Sequence, residues 1–204
     1  MVEGQFKRGS HTHLYDSLKA IQEAQTRSLG LIQPDTSPFL LDVLGISIEK
    51  GGAAVLADGY LVAGELTASQ RQFMFGYGVF TQLMDDQEDV KRDLDAGLNT
   101  VFSMTTRHWF LDEVTNRTFH FASSVLHCMD SFEGPDVMVL KEIFARGIGL
   151  VLIDGAGRHS GYYSRQYLTE LEKFLPFRFS NLSKQRRRLG RYKLTMGKLM
   201  ELVI

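Results

Sequence analysis

Five aspartates, Asp85, Asp86, Asp89, Asp93 and Asp95, crowd the stretch YGVFTQLMDDQEDVKRDLDAG, residues 77–97. A helix turns about 100° per residue, so positions three and four apart share a face. Gly78, Gln82, Asp85 and Asp86, Asp89 and Asp93 step by three or four and form one polar stripe. The intervening Val79, Phe80, Leu83, Met84 and Val90 are left to pack against neighbours. Like charges one turn apart repel, and aspartate is a poor interior helix former. A compensating cation is therefore expected. Mg2+ suits the arrangement, because it takes carboxylate oxygens, keeps several waters and is commonly shared with substrate phosphates. The competing reading is a solvated acidic face softened by Lys91 and Arg92. Gly78 and Gln82 favour the metal. Glycine lets a neighbour or ligand approach the backbone, and a glutamine in an apolar stretch, one turn before the carboxylates, suits a pocket wall.

Helices must position these groups. The chain has 204 residues, 44% hydrophobic and 23% charged, with a net charge of -1, which suits one domain with a substantial core. No apolar run approaches a membrane span, and MVEGQFKRGSHTH lacks the apolar centre of a signal peptide. A lone cysteine, Cys128, forbids an internal disulfide and points to a reducing cytoplasm. Four prolines leave room for long helices. The helical spacing of Leu14, Leu18, Ile21, Gln25 and Leu29 predicts an amphipathic helix over about 13–30. QPDTSP (33–38) reads as a turn, with Pro38 opening the next helix. FLLDVLG and KGGAAVLADGYLVAGEL read as apolar helices rich in small residues. Thr67 and Gln70 have the form of a capping box, which predicts a helix from about 68 to 94, broken by DAGLNT. Helices near 106–131 and 135–153 follow, separated by EGPD. DGAGRHSG (154–161) reads as a glycine loop. A short helix near 164–174 and a basic one over about 181–200 complete the chain. Strand alternation is absent, so the fold class expected is all-α.

The pattern Gly78-x-x-x-Gln82-x-x-Asp85-Asp86-x-x-Asp89 resembles the second aspartate-rich motif of the class I isoprenoid synthases, the trans-prenyl diphosphate synthases and related terpene synthases. EKGGAAVLADGYLVAGE (49–65) is similar to the preceding family segment, where Lys50 matches a lysine and Gly51 stands in place of a threonine. DLDAGLNTVFS (93–103) resembles the family's D-x-x-x-G-K-x-T stretch, with Leu98 in place of the lysine and a shorter spacer before it. Thr81 stands where the family has phenylalanine. The resemblance implies an antiparallel bundle of long helices around a cavity, in which Mg2+ bridges carboxylates to an allylic prenyl diphosphate and helps it ionise. It assigns Asp85, Asp86 and Asp89 to the metal and Lys50 to the diphosphate. Gln82 falls at the cavity wall near the reacting carbons, and Lys91 and Arg92 become further candidates for substrate contact.

The family also needs a second carboxylate cluster, upstream in the chain. Asp16, Asp35, Asp42, Asp58, Glu23, Glu49 and Glu65 are all isolated. The expectation is a single, partial helical domain, residues 1–204, resembling the C-terminal part of such an enzyme without its first helices. Residues 1–12 are expected to be disordered, and little turnover is expected from this chain alone. The alternatives are a non-catalytic helical subunit of a heteromeric prenyltransferase and an all-α Mg2+-dependent nucleotide pyrophosphohydrolase. An apolar groove beside Asp85, lined by Val55, Tyr60, Phe80 and Met84 and open on one side, would mark a missing N-terminal segment, a partner chain or a homo-oligomer. Residues 178–198 carry eight basic side chains and no acid. They suit a solvated helix, a lid over the diphosphate or peripheral contact with an anionic membrane. No recognised nucleic-acid motif accompanies them. His11 and His13 read as part of an extended terminus, and His127 and Cys128 as helix packing.

Overall fold

The computed structural model describes residues 2–32, 37, 39–182 and 184. Among these the regular elements are all helical: α1 (Val2–Gln5), α2 (Thr12–Ser28), α3 (Val43–Ala63), α4 (Ala68–Glu88), α5 (Val90–Ala96), α6 (Val101–Thr105), α7 (Asp112–His127), α8 (Val137–Arg158) and α9 (Arg165–Glu172), with short 3-10 turns between some of them. The all-α expectation holds. The turn expected at 33–38 lies outside the described residues apart from Ser37, and so does Pro38. Most of the basic segment beyond 182 also lies outside them. Residues 2–5 form a helical turn, and Tyr15 Oη donates to the Phe6 carbonyl at 2.6 Å.

Local signals set most helix ends. Asp42 caps α3 through its side chain. Thr67 and Gln70 form a reciprocal capping box at the start of α4, satisfying two otherwise unpaired amides. Gly97 ends α5 in the left-handed region, at φ 67°, where a Cβ is unfavourable. Four expectations are corrected. The two apolar stretches between 39 and 66 contribute to one helix, α3. The long helix expected over 68–94 is interrupted at Asp89 (φ -95°, ψ 4°). The break is local, because Asp89 N still bonds Asp85 O at 2.8 Å and Asp93 N bonds Asp89 O at 2.9 Å. The helix expected over 106–131 is confined to 112–127. The glycine loop expected at 154–161 is helical as far as Arg158: Gly155 lies against Gln87, and Gly157 against the Phe179 ring. Those glycines serve packing and not a turn.

Helix α4 lies at the centre. Val79 and Leu83 pack on one side with Val90, Phe102, Leu111, Ile153 and Tyr163. Phe73 and Phe80 pack on another with Ala122, Val125, Ile148 and Leu152. The closest approach is to α3. A Cβ on Gly51 would stand 2.4 Å from the Gly78 carbonyl oxygen, and one on Gly78 would stand 2.2 Å from that of Gly51. Glycine in a helix interior normally costs about 0.5–1 kcal/mol; here it permits backbone-to-backbone contact.

These contacts make opposite predictions for two glycine classes. Gly51→Ala or Gly78→Ala should destabilise the fold by about 1–3 kcal/mol or more, since neighbouring backbone must move. Gly147→Ala and Gly149→Ala in α8 meet nothing within 4 Å and should be neutral or stabilising by up to about 1 kcal/mol. Urea unfolding of the four variants measures both signs.

Candidate functional site

The α3–α4 contact places Lys50 and Ser47 of α3 alongside Gln82 and Asp86 of α4. Asp89, Arg92 and Asp93, further along the same face, open onto the same cleft. These residues and Asp85 line a cleft of about 310 Å³, closed on its far side by Ser28, Leu29, Leu31, Ile32, Leu98 and Thr100. The structure thus gathers Lys50, Gln82, Asp85, Asp86, Asp89 and Arg92, and leaves Lys91 outside. Lys91 pairs with Asp95 at 2.9 Å on the outer surface.

Burial differs sharply among the aspartates. Asp86 is 4% and Asp93 3% exposed, which a solvated acidic face does not explain. Gln82 Nε2 donates to Asp86 Oδ1 at 2.8 Å, and Asp86 Oδ2 is buried with no hydrogen-bond partner. Burial pushes the Asp86 carboxyl up to about 6 against the Gln82 hydrogen bond, and the nearby Asp93 adds to the rise. Burial, and then Asp89, likewise push Asp93 up to about 6. Asp85 is raised by burial and Asp89, and Lys50 and Arg92 oppose the rise. Arg92 pairs with Asp89. Among the described residues no three carboxylate, histidine or cysteine side chains converge tightly enough to chelate one ion as they stand. The donors nevertheless suit a hard cation: all are carboxylate oxygens, and one of them, Asp86 Oδ2, is buried and unpaired. Asp85 lies at the exposed edge, and Asp89 would exchange Arg92 for the ion.

Two supports hold the cleft, both built from residues distant in sequence. Asn99 N and Nδ2 each donate to the Leu31 carbonyl, at 2.9 and 3.1 Å, and Ile32 pairs with Leu98 in an isolated antiparallel bridge. This clasp joins the end of α2 to the α5–α6 connection. Behind the cleft, fully buried Gln87 donates to the Leu152 carbonyl at 3.1 Å and to Tyr163 Oη at 2.8 Å, and Tyr163 Oη meets Thr115 Oγ1 at 2.9 Å. Arg158 pairs with Glu88 and with Asp154, and His159 Nε2 donates to the Glu88 carbonyl at 2.7 Å. These bonds tie the end of α4 to α7 and α8 immediately before the break at Asp89.

The sequence stripe included Asp93 but did not mark it as a site residue; its position one turn beyond Asp89 was the available signal. Ser47, Thr100 and the Leu31–Asn99 clasp had no sequence signal, because they join segments far apart in the chain.

The expected groove of Val55, Tyr60, Phe80 and Met84 is not formed. Tyr60 and Phe80 are core residues; Tyr60 stacks on His13 and Phe80 packs with α7 and α8. The apolar hollows lie elsewhere. One of about 530 Å³ is lined by Leu44, Ile48, Val79, Leu83, Val114 and Phe121 among others. A neighbouring hollow shares Leu44, Val101, Thr105 and Trp109 with it. Neither shares a lining residue with the carboxylate cleft.

Searches against protein-family models, curated proteins and solved structures return no match to this chain. Among the described residues no helix is long and apolar enough to cross a membrane.

The crowded carboxylates have a pH signature. An unfolded aspartate titrates near ~4, whereas Asp86 and Asp93 titrate at about 6 in the fold. The folded state therefore holds protons that the unfolded state has released. The contribution of both groups to stability is fully present below pH ~4 and is lost as pH rises through about 6. Without divalent cations, the melting temperature should fall between pH 4 and 7. Asp86→Asn should flatten that fall and raise the pH 7 value by about 2–6 °C. Calorimetry in chelator across this range tests it, and a profile unchanged by the substitution would contradict the assignment.

Proposed function

We propose that the cleft binds Mg2+ together with the diphosphate of an allylic prenyl substrate, and that the chain is the C-terminal, metal-binding part of a class I isoprenoid synthase. One observation carries the reading: a nearly fully buried carboxylate, Asp86, keeps a buried, unpaired oxygen at the wall of a cleft shared with three further aspartates and Lys50. A structural carboxylate at that depth normally pairs all its oxygens. A ligand-binding one waits for its ligand.

In this reading Asp85, Asp86 and Asp89 hold the metal, with Asp93 behind them. The Gln82 bond fixes Asp86 Oδ1 and leaves Oδ2 for coordination. Lys50 donates to phosphate oxygens, a role suited to a compact ammonium. Arg92, released from Asp89 when that carboxylate takes the metal, is free to do the same. When bound, Mg2+ supplies the positive charge that stabilises a departing diphosphate.

A second reading rests on the lining of the cleft. Among the described residues, all its carboxylates come from α4, α5 and the break between them. A diphosphate would then be gripped from one side, which favours a binding subunit whose opposite wall comes from another segment or chain. The two readings share the metal site and differ in turnover.

Mg2+ with inorganic diphosphate should raise the melting temperature by about 5–10 °C at a hundredfold excess over Kd. Asp85→Ala should abolish the response. Lys50→Met should spare the effect of Mg2+ alone and remove the added effect of diphosphate. Release of diphosphate from an allylic prenyl diphosphate separates the readings: a complete catalytic site turns substrate over, and a one-sided site does not. A wild-type melting curve unmoved by saturating Mg2+ and diphosphate would overturn both.

A further inference from the structure

Helix α8 turns only one side inward. Ile148, Leu152 and Ala156 are buried. The opposite side carries Val139, Ile143, Arg146 and Leu150 at steps of four, three and four, the spacing of a coiled-coil seam. The three apolar members of that row are exposed, and so are Met138 and Leu140 beside it; Met138 is 72% and Ile143 60% exposed. The five aliphatic side chains leave on the order of 500 Å² of apolar surface in water, at the upper end of what a monomer keeps in one patch. A specific interface needs about 1,000 Å² in total, so two such faces suffice to form one.

The two ends of this face differ in shape. A second row, Met138, Glu142, Ala145 and Gly149, runs along one flank of the first at the same steps. Where that row begins, Met138 stands out as a knob. Where it ends, a hollow of about 540 Å³ opens between α7, α8 and α9, lined by Phe119, Ala145, Gly149, Leu150 and Phe174 among others. Knob and hollow are about 17 Å apart along the helix axis. A two-fold axis normal to a pair of antiparallel helices keeps each flank on its own side and exchanges the two ends. It sets the knob of each copy over the hollow of the other, and an unbranched methionine is suited to filling such a space. A parallel pair would set knob against knob and hollow against hollow.

The charges on the face agree with self-pairing. Arg146 Nη2 donates to Glu142 Oε1 at 2.5 Å, and both side chains are exposed; Lys141 turns aside to Asp130. In the antiparallel pair Val139 meets Leu150 of the second copy and Ile143 meets its Arg146. Each Arg146 then comes within reach of the second copy's Glu142 close to the axis. An exposed pair within one helix contributes little, so exchanging partners loses little. One acid and one base per copy leave the face neutral, which suits a second copy better than a strongly charged partner. We propose that α8 is a self-association surface: two copies of the chain pair antiparallel about a two-fold axis near Ile143 and Arg146, with Met138 of each copy seated in the hollow of the other. That hollow shares no lining residue with the carboxylate cleft, so the dimer leaves the cleft open and stands apart from the cation reading.

Sedimentation equilibrium of the wild type and of Ile143→Lys, from about 1 to 100 μM, tests the surface. The wild type should reach twice the chain mass within that range. Ile143→Lys sets a second cation against each Arg146 and should weaken association about a hundredfold or more. Ile143 is exposed, and circular dichroism checks that the helices persist in the variant. Cross-linking tests the orientation in a Cys128→Ser background, which removes the lone thiol. A short bis-maleimide should join the Met138→Cys variant to the Leu150→Cys variant when the two are mixed, and should join neither variant to itself. A wild type that stays monomeric throughout, or a dimer that Ile143→Lys leaves intact, would overturn the surface. Cross-linking of the Met138→Cys variant to itself would overturn the antiparallel pairing.

Discussion

The contact between the backbones of Gly51 and Gly78 governs the rest of the molecule. With hydrogen as the side chain on both helices, the α3 carbonyl of one glycine and the α4 carbonyl of the other come within reach of atoms that any Cβ would displace. The spacing of α3 and α4 follows from it. Lys50, adjacent to Gly51, is carried to the cleft shared with Gln82 and Asp86. A wider spacing would move the lysine away from the carboxylates and weaken its Coulomb attraction for Asp85, Asp86 and Asp93. Gly52 against the Phe75 ring and Gly76 against Val125 extend the same tight packing to either side.

Around this seam the chain separates two environments. On one side Val79 and Leu83 join an apolar core that continues to Tyr163 and Leu171. On the other, four aspartates converge on one lysine and one arginine. The penalty of holding Asp86 and Asp93 away from water falls on the end of α4 and on α5, where the helix breaks. Bonds between distant segments brace that region: Gln87 to α8 and Tyr163, Arg158 and His159 to Glu88, and Asn99 to Leu31. A crowded carboxylate site needs rigid neighbours, because an unsupported helix end would unwind to rehydrate the charges.

Much of this was legible in the sequence for local reasons. The capping box at Thr67 and Gln70, the stop at Gly97 and the stripe from Gln82 to Asp93 depend on residues within a turn or two of one another. The value of Gly78 was also legible, although only the structure identifies Gly51 as the neighbour it admits. Two errors share one physical cause. Glycine in DGAGR signals a loop when read alone, yet Gly155 and Gly157 make room for Gln87 and Phe179 inside a continuous helix. For Phe80 and Tyr60, periodicity gives a face and not its partner; the partners, α7, α8 and His13, lie far off in the chain. The Leu31–Asn99 clasp and the burial of Asp93 arise from the same long-range packing. The resemblance to class I isoprenoid synthases rests on sequence alone, on the segments 49–65, 78–89 and 93–103.

The central claim is that Asp86, with its unpaired buried oxygen, is a ligand for a divalent cation. Electron paramagnetic resonance of Mn2+ titrated into the protein with inorganic diphosphate measures this without requiring turnover. The account predicts saturable loss of the protein-free Mn2+ signals, beyond a control with diphosphate alone, and abolition of that loss by Asp86→Asn. Mn2+ that shows no protein-dependent change, or that binds the variant as it binds the wild type, would contradict it.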